Sequence, residues 1–296
     1  MMIREPAVAG RFYPREADRC EAELHACVMQ AEQWAGVYEG GKGRTIVGGI
    51  VPHAGWVCSG AVAAAVFLTM ARRRQPGVVV LFGAVHVRHG LRAAMFSSGA
   101  WETPLGLVRV EERLAQRLLS QSGLIEADPH AHEEEHSLEV QAPFVQHLLP
   151  RTPIVPIMVP PSDKAAAVGA SVGRTCQAYG VDAAFIGSTD LTHYGPAYGF
   201  TPQGVGPTGL AWAKDVNDRR MIELIVALRE GDAVGEALVN HNACGAGAIA
   251  ATIAACKAAG AARATLLRHT TSHEVLSAIH DEPMRDAVGY AGIVFD

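Results

Sequence analysis

Residues 45–52, TIVGGIVP, and residues 59–70, SGAVAAAVFLTM, form the stretch that decides the fold. The first segment is short, apolar and partly β-branched, which favours a buried strand. The second is rich in alanine and begins with Ser59, a residue type that caps helix N-termini, so it predicts a helix that starts there. A strand followed directly by a helix is the repeating unit of an α/β sheet.

The same alternation continues along the chain. Further strands are predicted at residues 78–82, 154–159, 183–186 and 287–295, and further helices at residues 108–119, 163–179, 212–228 and 244–260. The sequence therefore predicts an α/β fold, with a central mixed or parallel β-sheet flanked by helices on both faces. We expect residues 1–296 to form a single domain. Residues 195–209, rich in glycine and proline, predict a long loop of the kind that often serves as a lid.

Composition and charge limit the classes of partner. The chain carries 25 basic and 30 acidic residues, a formal net charge of -5, and one short basic run at residues 72–74, so we expect no nucleic-acid partner. Its apolar runs fall short of the roughly 18 residues of a membrane span, which predicts no membrane insertion. The six cysteines form no C-x-x-C pair and the N-terminus lacks a secretory pattern. Reduced thiols and a cytoplasmic location are therefore expected.

Side chains with catalytic chemistry follow three of the predicted strands. His53 follows TIVGGIVP, His86 follows VVVLFGAV, and Asp190 and His193 follow AAFIGST. Sites in open α/β sheets lie just beyond the carboxyl ends of strands, so we expect one shared pocket. Imidazole is a common transition-metal ligand, which makes His53 and His86 candidate ligands. Asp190 is a candidate partner of a metal-bound group and His193 a candidate general acid or base, the alternative being a helix-capping Asp with an exposed His.

Cys244 lies in the glycine-rich segment HNACGAGAIA, residues 241–250. At the N-terminus of the predicted helix 244–260 the helix dipole would lower its pKa, which favours a thiolate as metal ligand or nucleophile. A small buried thiol packed beside glycines explains the same sequence. The sequence leaves all three roles open.

The segment HEEEHSLEVQAPFVQHLLP, residues 132–150, contains the zinc-protease pattern H-E-x-x-H at His132, Glu133 and His136. That pattern requires two imidazoles on one face of an apolar helix, whereas three successive glutamates favour a solvated helix start. We therefore favour His136 and Glu139, three residues apart, as groups that face a pocket, with His136 as a candidate catalytic residue.

Six segments together resemble the Memo family, whose bacterial members are often called AmmeMemoRadiSam system protein B. They follow in order along the chain: REPAVAGRFYP at residues 4–14, VPHAGWVCSG at 51–60, EHSLEVQAPF at 135–144, STDLTHYG at 188–195, ACGAG at 243–247 and VGYAGIVF at 288–295. The family is similar in fold to class III extradiol ring-cleaving dioxygenases, and the resemblance implies that fold here.

The resemblance also implies a metal site. Position by position, the family's ligands match His53, His86 and Cys244. The implied cofactor is Fe(II) or copper, with zinc as a substitute, and a small, aromatic substrate and dioxygen are the implied reactants. The ring-cleaving relatives hold iron with two histidines and a glutamate. A softer, more oxidisable thiolate in that place means that ring cleavage is not simply inherited.

The chain departs from the family pattern at two places. GAVHV, residues 83–87, stands where a GPSHH-like sequence is usual, and CGAG, residues 244–247, stands where CGRG is frequent. The missing arginine argues against anion recognition at the pocket. The missing second histidine leaves His86 as the ligand candidate there, unless His89 turns inward.

Three functions follow from these observations. The first is a metal-dependent oxidoreductase of small molecules, in which His193 moves protons, Asp190 holds the tautomer of His193, and His136 donates to an oxyanion. The second is a non-enzymatic metal- or peptide-binding adaptor that acts with a radical SAM protein and an AMMECR-like partner, as the family's bacterial name implies. The third is a zinc protease that uses His132 and His136.

Overall fold

The computed structural model describes residues 1–36, 38, 45–87, 90, 92–279 and 285–296. The helices are α1 (Ala17–Ala35), α2 (Trp56–Ala71), α3 (Glu112–Gln121), α4 (Ala142–Leu148), α5 (Ala165–Ala178), α6 (Pro207–Trp212), α7 (Arg219–Val226), α8 (Ala233–Asn240), α9 (Ala246–Ala258) and α10 (Ser272–Ser277). The strands are β1 (Ile3–Arg4), β2 (Gly48–Val51), β3 (Val78–Gly83), β4 (Ala93–Met95), β5 (Ala100–Thr103), β6 (Gly106–Arg109), β7 (Ile125–Ala127), β8 (Ile154–Met158), β9 (Ala183–Ser188), β10 (His193–Tyr194), β11 (Ala264–Thr271) and β12 (Ala287–Phe295).

The large sheet is mixed. At its centre β2, β9, β3 and β8 lie side by side in that order and run parallel. On one side β4 joins β8 antiparallel and β7 follows β4, while on the other side β12 pairs antiparallel with β2, β10 and β11. Strands β1, β5 and β6 form a separate small sheet. The predicted α/β fold with a central mixed sheet is confirmed.

Alternate residues of the central strands pack into two apolar cores. On β3, Val79 and Leu81 belong to the core that also contains α1 and α2, whereas Val80 and Phe82 belong to the core that contains α5 and α9. Because successive strand side chains point to opposite faces of a sheet, helices cover both faces, as predicted. Among the described residues, no helix combines the length and the apolar character that crossing a membrane requires.

The parallel strands place three loop segments at the same edge of the sheet. In the register of β2 and β9, Val51 lies beside Ser188, and in that of β3 and β9, Phe82 lies beside Gly187. The residues that follow β2, β3 and β9 therefore start next to one another. This edge is where the candidate site is found.

Two helix predictions were wrong at their starts. Helix α2 begins at Trp56 rather than at Ser59, because the Ser59 hydroxyl donates to the carbonyl of Ala54 at 2.8 Å instead of capping the helix. Residues 108–119, predicted as one helix, divide between β6 and α3, because Val108 pairs with Trp101 in the small sheet.

Two further predictions need correction near the site. The helix predicted at residues 212–228 begins earlier, at Pro207, and a π-helical turn, Ala213–Asp218, joins α6 to α7. Helix α9 begins at Ala246 after Gly245, so Cys244 precedes the helix and does not lie in its first turn. The loop predicted at residues 195–209 contains a short 3-10 turn, Pro196–Tyr198, before α6 starts.

Candidate metal centre

Three imidazoles meet beyond the carboxyl ends of β2 and β3. His53 follows β2, His86 follows β3, and His136 lies between β7 and α4. One ring nitrogen from each lies within 4.8 Å of the other two. The ring centroids of His53 and His86 are 5.0 Å apart, those of His53 and His136 are 5.4 Å apart, and those of His86 and His136 are 4.4 Å apart. His53 is buried, His136 is half-buried and His86 is exposed, so the cluster opens towards solvent on one side.

Hydrogen bonds fix the tautomer of His53. The Ser188 hydroxyl donates to the Ser137 carbonyl at 2.7 Å, so the same oxygen accepts from Nδ1–H of His53 at 3.0 Å. This tautomer leaves the lone pair of His53 Nε2 free for a ligand. Burial, and then the neighbouring imidazoles, hold the pKa of His53 well below its ordinary value, so the ring is neutral.

A buried carboxylate performs the same task for His86. Glu135 accepts from His86 Nδ1–H at 2.9 Å through Oε1 and from the His86 backbone N–H at 2.7 Å through Oε2. Burial raises the pKa of Glu135, but its hydrogen bonds and the charge of His86 outweigh burial and leave it well below the usual range. Burial alone would lower the pKa of His86. The hydrogen bond to Glu135 and the charge of that carboxylate outweigh burial and raise the pKa above its ordinary value. Because a carboxylate only accepts, Nε2 of His86 is the nitrogen left for an ion.

His136 completes the cluster, but neither a carboxylate nor a hydroxyl forms a hydrogen bond with its ring among the described residues. Its ring stacks on that of His86, and the Phe12 ring lies on it with centroids 4.8 Å apart. Its Nδ1 is 3.8 Å from Glu135 Oε1, beyond hydrogen-bond distance. Burial, and then the charge of His86, lower the pKa of His136 to about 4, so it too is neutral. The sequence predicted His136 near the pocket as a catalytic residue, and the structure places it among the candidate ligands.

Cys244 lies against His53. Its Sγ is 3.2 Å from His53 Nε2 and accepts the Asp190 backbone N–H at 3.3 Å. Burial, and then the Asp190 charge, raise the pKa of the thiol well above its usual range in the absence of an ion. The predicted lowering by a helix dipole is therefore wrong, because the residue lies outside α9. The structure brings Cys244 beside the cluster, and its role as a ligand stays a prediction.

Asp190 and His193 lie at the same edge but do not pair with each other. Asp190 Oδ1 accepts the His53 backbone N–H at 2.7 Å, and burial raises the pKa of this carboxyl. His193 Nδ1 lies 3.1 Å from the Leu191 carbonyl, and its ring contacts that of Tyr198 edge-on at 5.1 Å. The prediction that Asp190 fixes the tautomer of His193 is therefore wrong, since the Leu191 carbonyl does so. Asp190 instead holds the loop that carries His53.

The H-E-x-x-H segment does not form a metalloprotease helix. His132 lies in a short 3-10 turn, is fully buried, and places Nε2 3.1 Å from the Ala94 carbonyl, away from His136. Glu139, predicted to face the pocket with His136, instead accepts from Tyr13 and pairs with Arg4 at 2.7 Å. The two histidines of the pattern thus have separate surroundings, and His89 lies outside the described residues.

The donor set fits a transition-metal ion. It offers imidazole nitrogens with a thiol at their side, and iron, copper and zinc all accept these donors. Two nitrogens that each lie about 2.1 Å from one ion are at most about 4.2 Å apart, so a set spread up to 4.8 Å would have to contract somewhat to hold one. Glu135 and Ser188, which orient the ligands, were not predicted, although Glu135 opens the segment EHSLEVQAPF.

Comparisons with known proteins give a consistent result. A family model described as Memo-like protein matches residues 4–294. A MEMO1 family protein of Methanothermobacter thermautotrophicus is 36% identical over 294 residues, which cover 98% of this chain and 99% of that protein. Another from Pyrococcus furiosus is 36% identical over 301 residues, with 99% of each chain covered. Among solved structures, an uncharacterized protein from Escherichia coli K12 aligns with a TM-score of 0.51 at 12% identity, covering 84% of this chain and 99% of that chain, a likeness of fold.

Proposed function

This chain belongs to the Memo family, and from that premise we propose that it binds one iron or copper ion at His53, His86 and His136 and acts as an oxidoreductase of a small molecule. The observation that carries this proposal is the convergence of three imidazoles with nitrogens within 4.8 Å of one another. Zinc accepts the same donors and is expected to substitute without redox activity.

The neighbours of the histidines support ligation by specific atoms. His53 and His86 would hold the ion through Nε2, because Ser188 and Glu135 occupy their Nδ1 atoms. Cys244 would add a thiolate and release its proton when it binds. An iron or copper ion held here supplies electron transfer and Lewis acidity.

The remaining pocket residues have roles that follow from their own contacts. His193 donates from Nδ1 to the Leu191 carbonyl, so its Nε2 is the atom that would accept a proton from a substrate. Phe12 covers His136 and limits the access of water to that side of the cluster. We propose that dioxygen is the oxidant and that proton movement at His193 accompanies oxidation of the substrate.

The first test of the metal site is elemental analysis of anaerobically purified protein after reconstitution with iron or copper. We expect about one ion per chain in the wild type and at least a tenfold loss in His53→Ala, His86→Ala and His136→Ala. The matched control is His130→Ala, because His130 is exposed and bonds only to Glu133 at 2.7 Å among the described residues. A wild type that holds no ion, or variants that all retain it, would contradict the proposal.

Two further measurements test separately whether Cys244 is a ligand and whether the protein turns over a substrate. If Cys244 is a ligand, the Cu(II) protein has a thiolate-to-copper charge-transfer band that Cys244→Ser removes. Oxygen uptake with phenols or indoles tests the oxidoreductase proposal directly. Stoichiometric metal without oxygen uptake would favour the metal- or peptide-binding adaptor that works with a radical SAM protein and an AMMECR-like partner.

A further inference from the structure

A small cavity adjoins the metal centre without being part of it. Its volume is about 300 Å³, and it lies between α8, the start of α9 and the segment that follows β9. Cys244 and His193 line it, whereas none of the three clustered histidines is among its described lining residues. Because Cys244 Sγ also contacts His53, this thiol separates the cavity from the imidazoles.

The walls of the cavity are mostly apolar. Leu191 and Ala237 are buried in its wall, and Leu238, with 65% of its surface exposed, forms part of the rim. Among the described residues that line it, there is no lysine or arginine. Its polar side chains are the thiol of Cys244 and the imidazoles of His193 and His241, so an anionic ligand would find no permanently charged cation to replace its hydration. These walls favour an uncharged ligand.

Two imidazoles line the cavity, His193 and the exposed His241, and the hydrogen bond of His193 fixes which of its ring nitrogens can accept. The Leu191 carbonyl accepts from His193 Nδ1–H, which leaves Nε2 as the ring nitrogen that can accept. Cys244 Sγ already accepts from the Asp190 backbone N–H and contacts His53 Nε2. A ligand hydroxyl or N–H would therefore find its acceptor at His193, next to the thiol.

We propose that this cavity is the substrate chamber, and that it takes a small uncharged molecule with an apolar body and one hydroxyl or N–H group, of the size of phenol or indole. The volume lies at the small end of the range for ligand pockets. The inference deepens the proposed function and rests on it, since the ligand is a substrate only if the metal centre is redox-active. Binding to the chamber is nevertheless measurable without any metal.

The first experiment measures binding to the full chain, both metal-free and zinc-loaded, by calorimetry with phenol, indole, benzoate and phenyl phosphate as probes. Phenol and indole should bind at least about tenfold more tightly than the two anions, because burying an uncompensated charge is costly. In His193→Ala the affinity for phenol should fall about fivefold while that for toluene stays unchanged, since only phenol uses the acceptor. A merely structural role of His193 would weaken both probes equally.

A pair of rim variants provides the matched control. Leu238 lines the cavity, whereas its neighbour Val239, 76% exposed, is not among the lining residues. Leu238→Glu should weaken phenol binding about tenfold through lost apolar contact and an added charge, and Val239→Glu should leave it unchanged. Equal effects of the two variants, or benzoate binding as tightly as phenol, would overturn the inference.

Measuring the metal content of the same preparations distinguishes failure of the substrate-chamber proposal from failure of the metal-site proposal. If the Leu238→Glu variant no longer binds phenol but retains its metal ion, the chamber and the metal centre are distinct parts of one site. If His53→Ala loses its ion while phenol still binds, the chamber stands without the metal. If the wild type holds its ion and does not bind phenol or indole, the chamber is wrong and the metal proposal remains.

Discussion

At the scale of single residues, the partners that orient His53 and His86 differ in charge. A carboxylate backs His86, whereas a hydroxyl backs His53. Glu135→Gln keeps the shape of the side chain but removes that charge, so we expect the affinity for the metal to fall about 10- to 100-fold, as measured by competition with a chelator. Glu134→Gln, in the exposed neighbouring residue, is the control and should leave the affinity unchanged. Equal affinities in the two variants would show that Glu135 does not orient or strengthen a ligand.

His132 makes a prediction about pH that is independent of the metal. Burial lowers the pKa of His132 from 6.5 to about 4. Between those values the unfolded chain binds more protons than the folded one, so stability falls as the pH falls from 6.5 towards 4. The contribution of this residue is about 1.4 kcal/mol per pH unit within that window.

His132→Gln removes this titration and keeps a donor for the Ala94 carbonyl. Urea unfolding from pH 4 to pH 7 should therefore show a flatter dependence of the free energy of unfolding on pH for this variant than for the wild type. His130→Gln is the exposed control and should follow the wild type. A slope unchanged in His132→Gln would mean that the folded protein binds a proton at His132 in this range.

At the scale of elements, the close packing of α5 against α9 depends on two glycines, Gly169 and Gly173, of which Gly169 makes the tighter approach. A Cβ added at Gly169 would lie 1.8 Å from the carbonyl oxygen of Ala251. Gly169→Ala should therefore lower the free energy of unfolding by about 1–3 kcal/mol, although alanine is the better helix former. Gly235→Ala, at an exposed position of α8, meets no atom within 4 Å and should stabilise by up to about 1 kcal/mol. Chemical denaturation tests both, and a neutral Gly169→Ala would mean that the two helices can separate.

Elements with a uniform buried pattern were the ones that the sequence predicted well. Strand β12 has the predicted bounds, Ala287–Phe295, and every residue in it is buried. Helix α1 was not predicted, although its buried residues, from Cys20 and Leu24 to Ala35, recur at the three- and four-residue spacing of a helix face. The π-helical turn Ala213–Asp218 was also missed, since it depends on packing rather than on local propensity.

At the scale of the whole molecule, His53 and His86 were predictable because they follow parallel strands, whose carboxyl ends lie at one edge. His136, which does not directly follow a strand, was predicted to face the pocket as a catalytic residue, but its place among the candidate ligands was not predicted. The segment before it is held by Arg4, whose guanidinium donates to the backbone carbonyls of His132 at 2.8 Å and Glu135 at 2.9 Å. A contact across about 130 positions of the chain leaves no local pattern in the sequence.

The same long-range assembly predicts how metal and stability are linked. The candidate ligands come from residues 53, 86 and 136, so the complete set exists only in the folded chain. An ion at a free concentration of 100 times its Kd should then stabilise the fold by about 2.7 kcal/mol and raise the Tm by about 5 °C. Calorimetry with zinc and with a chelator measures this shift, which should vanish in His53→Ala and persist in His130→Ala. If His53→Ala shows the same Tm shift as the wild type, the stabilising ion binds elsewhere, and the three-histidine cluster is not the metal centre.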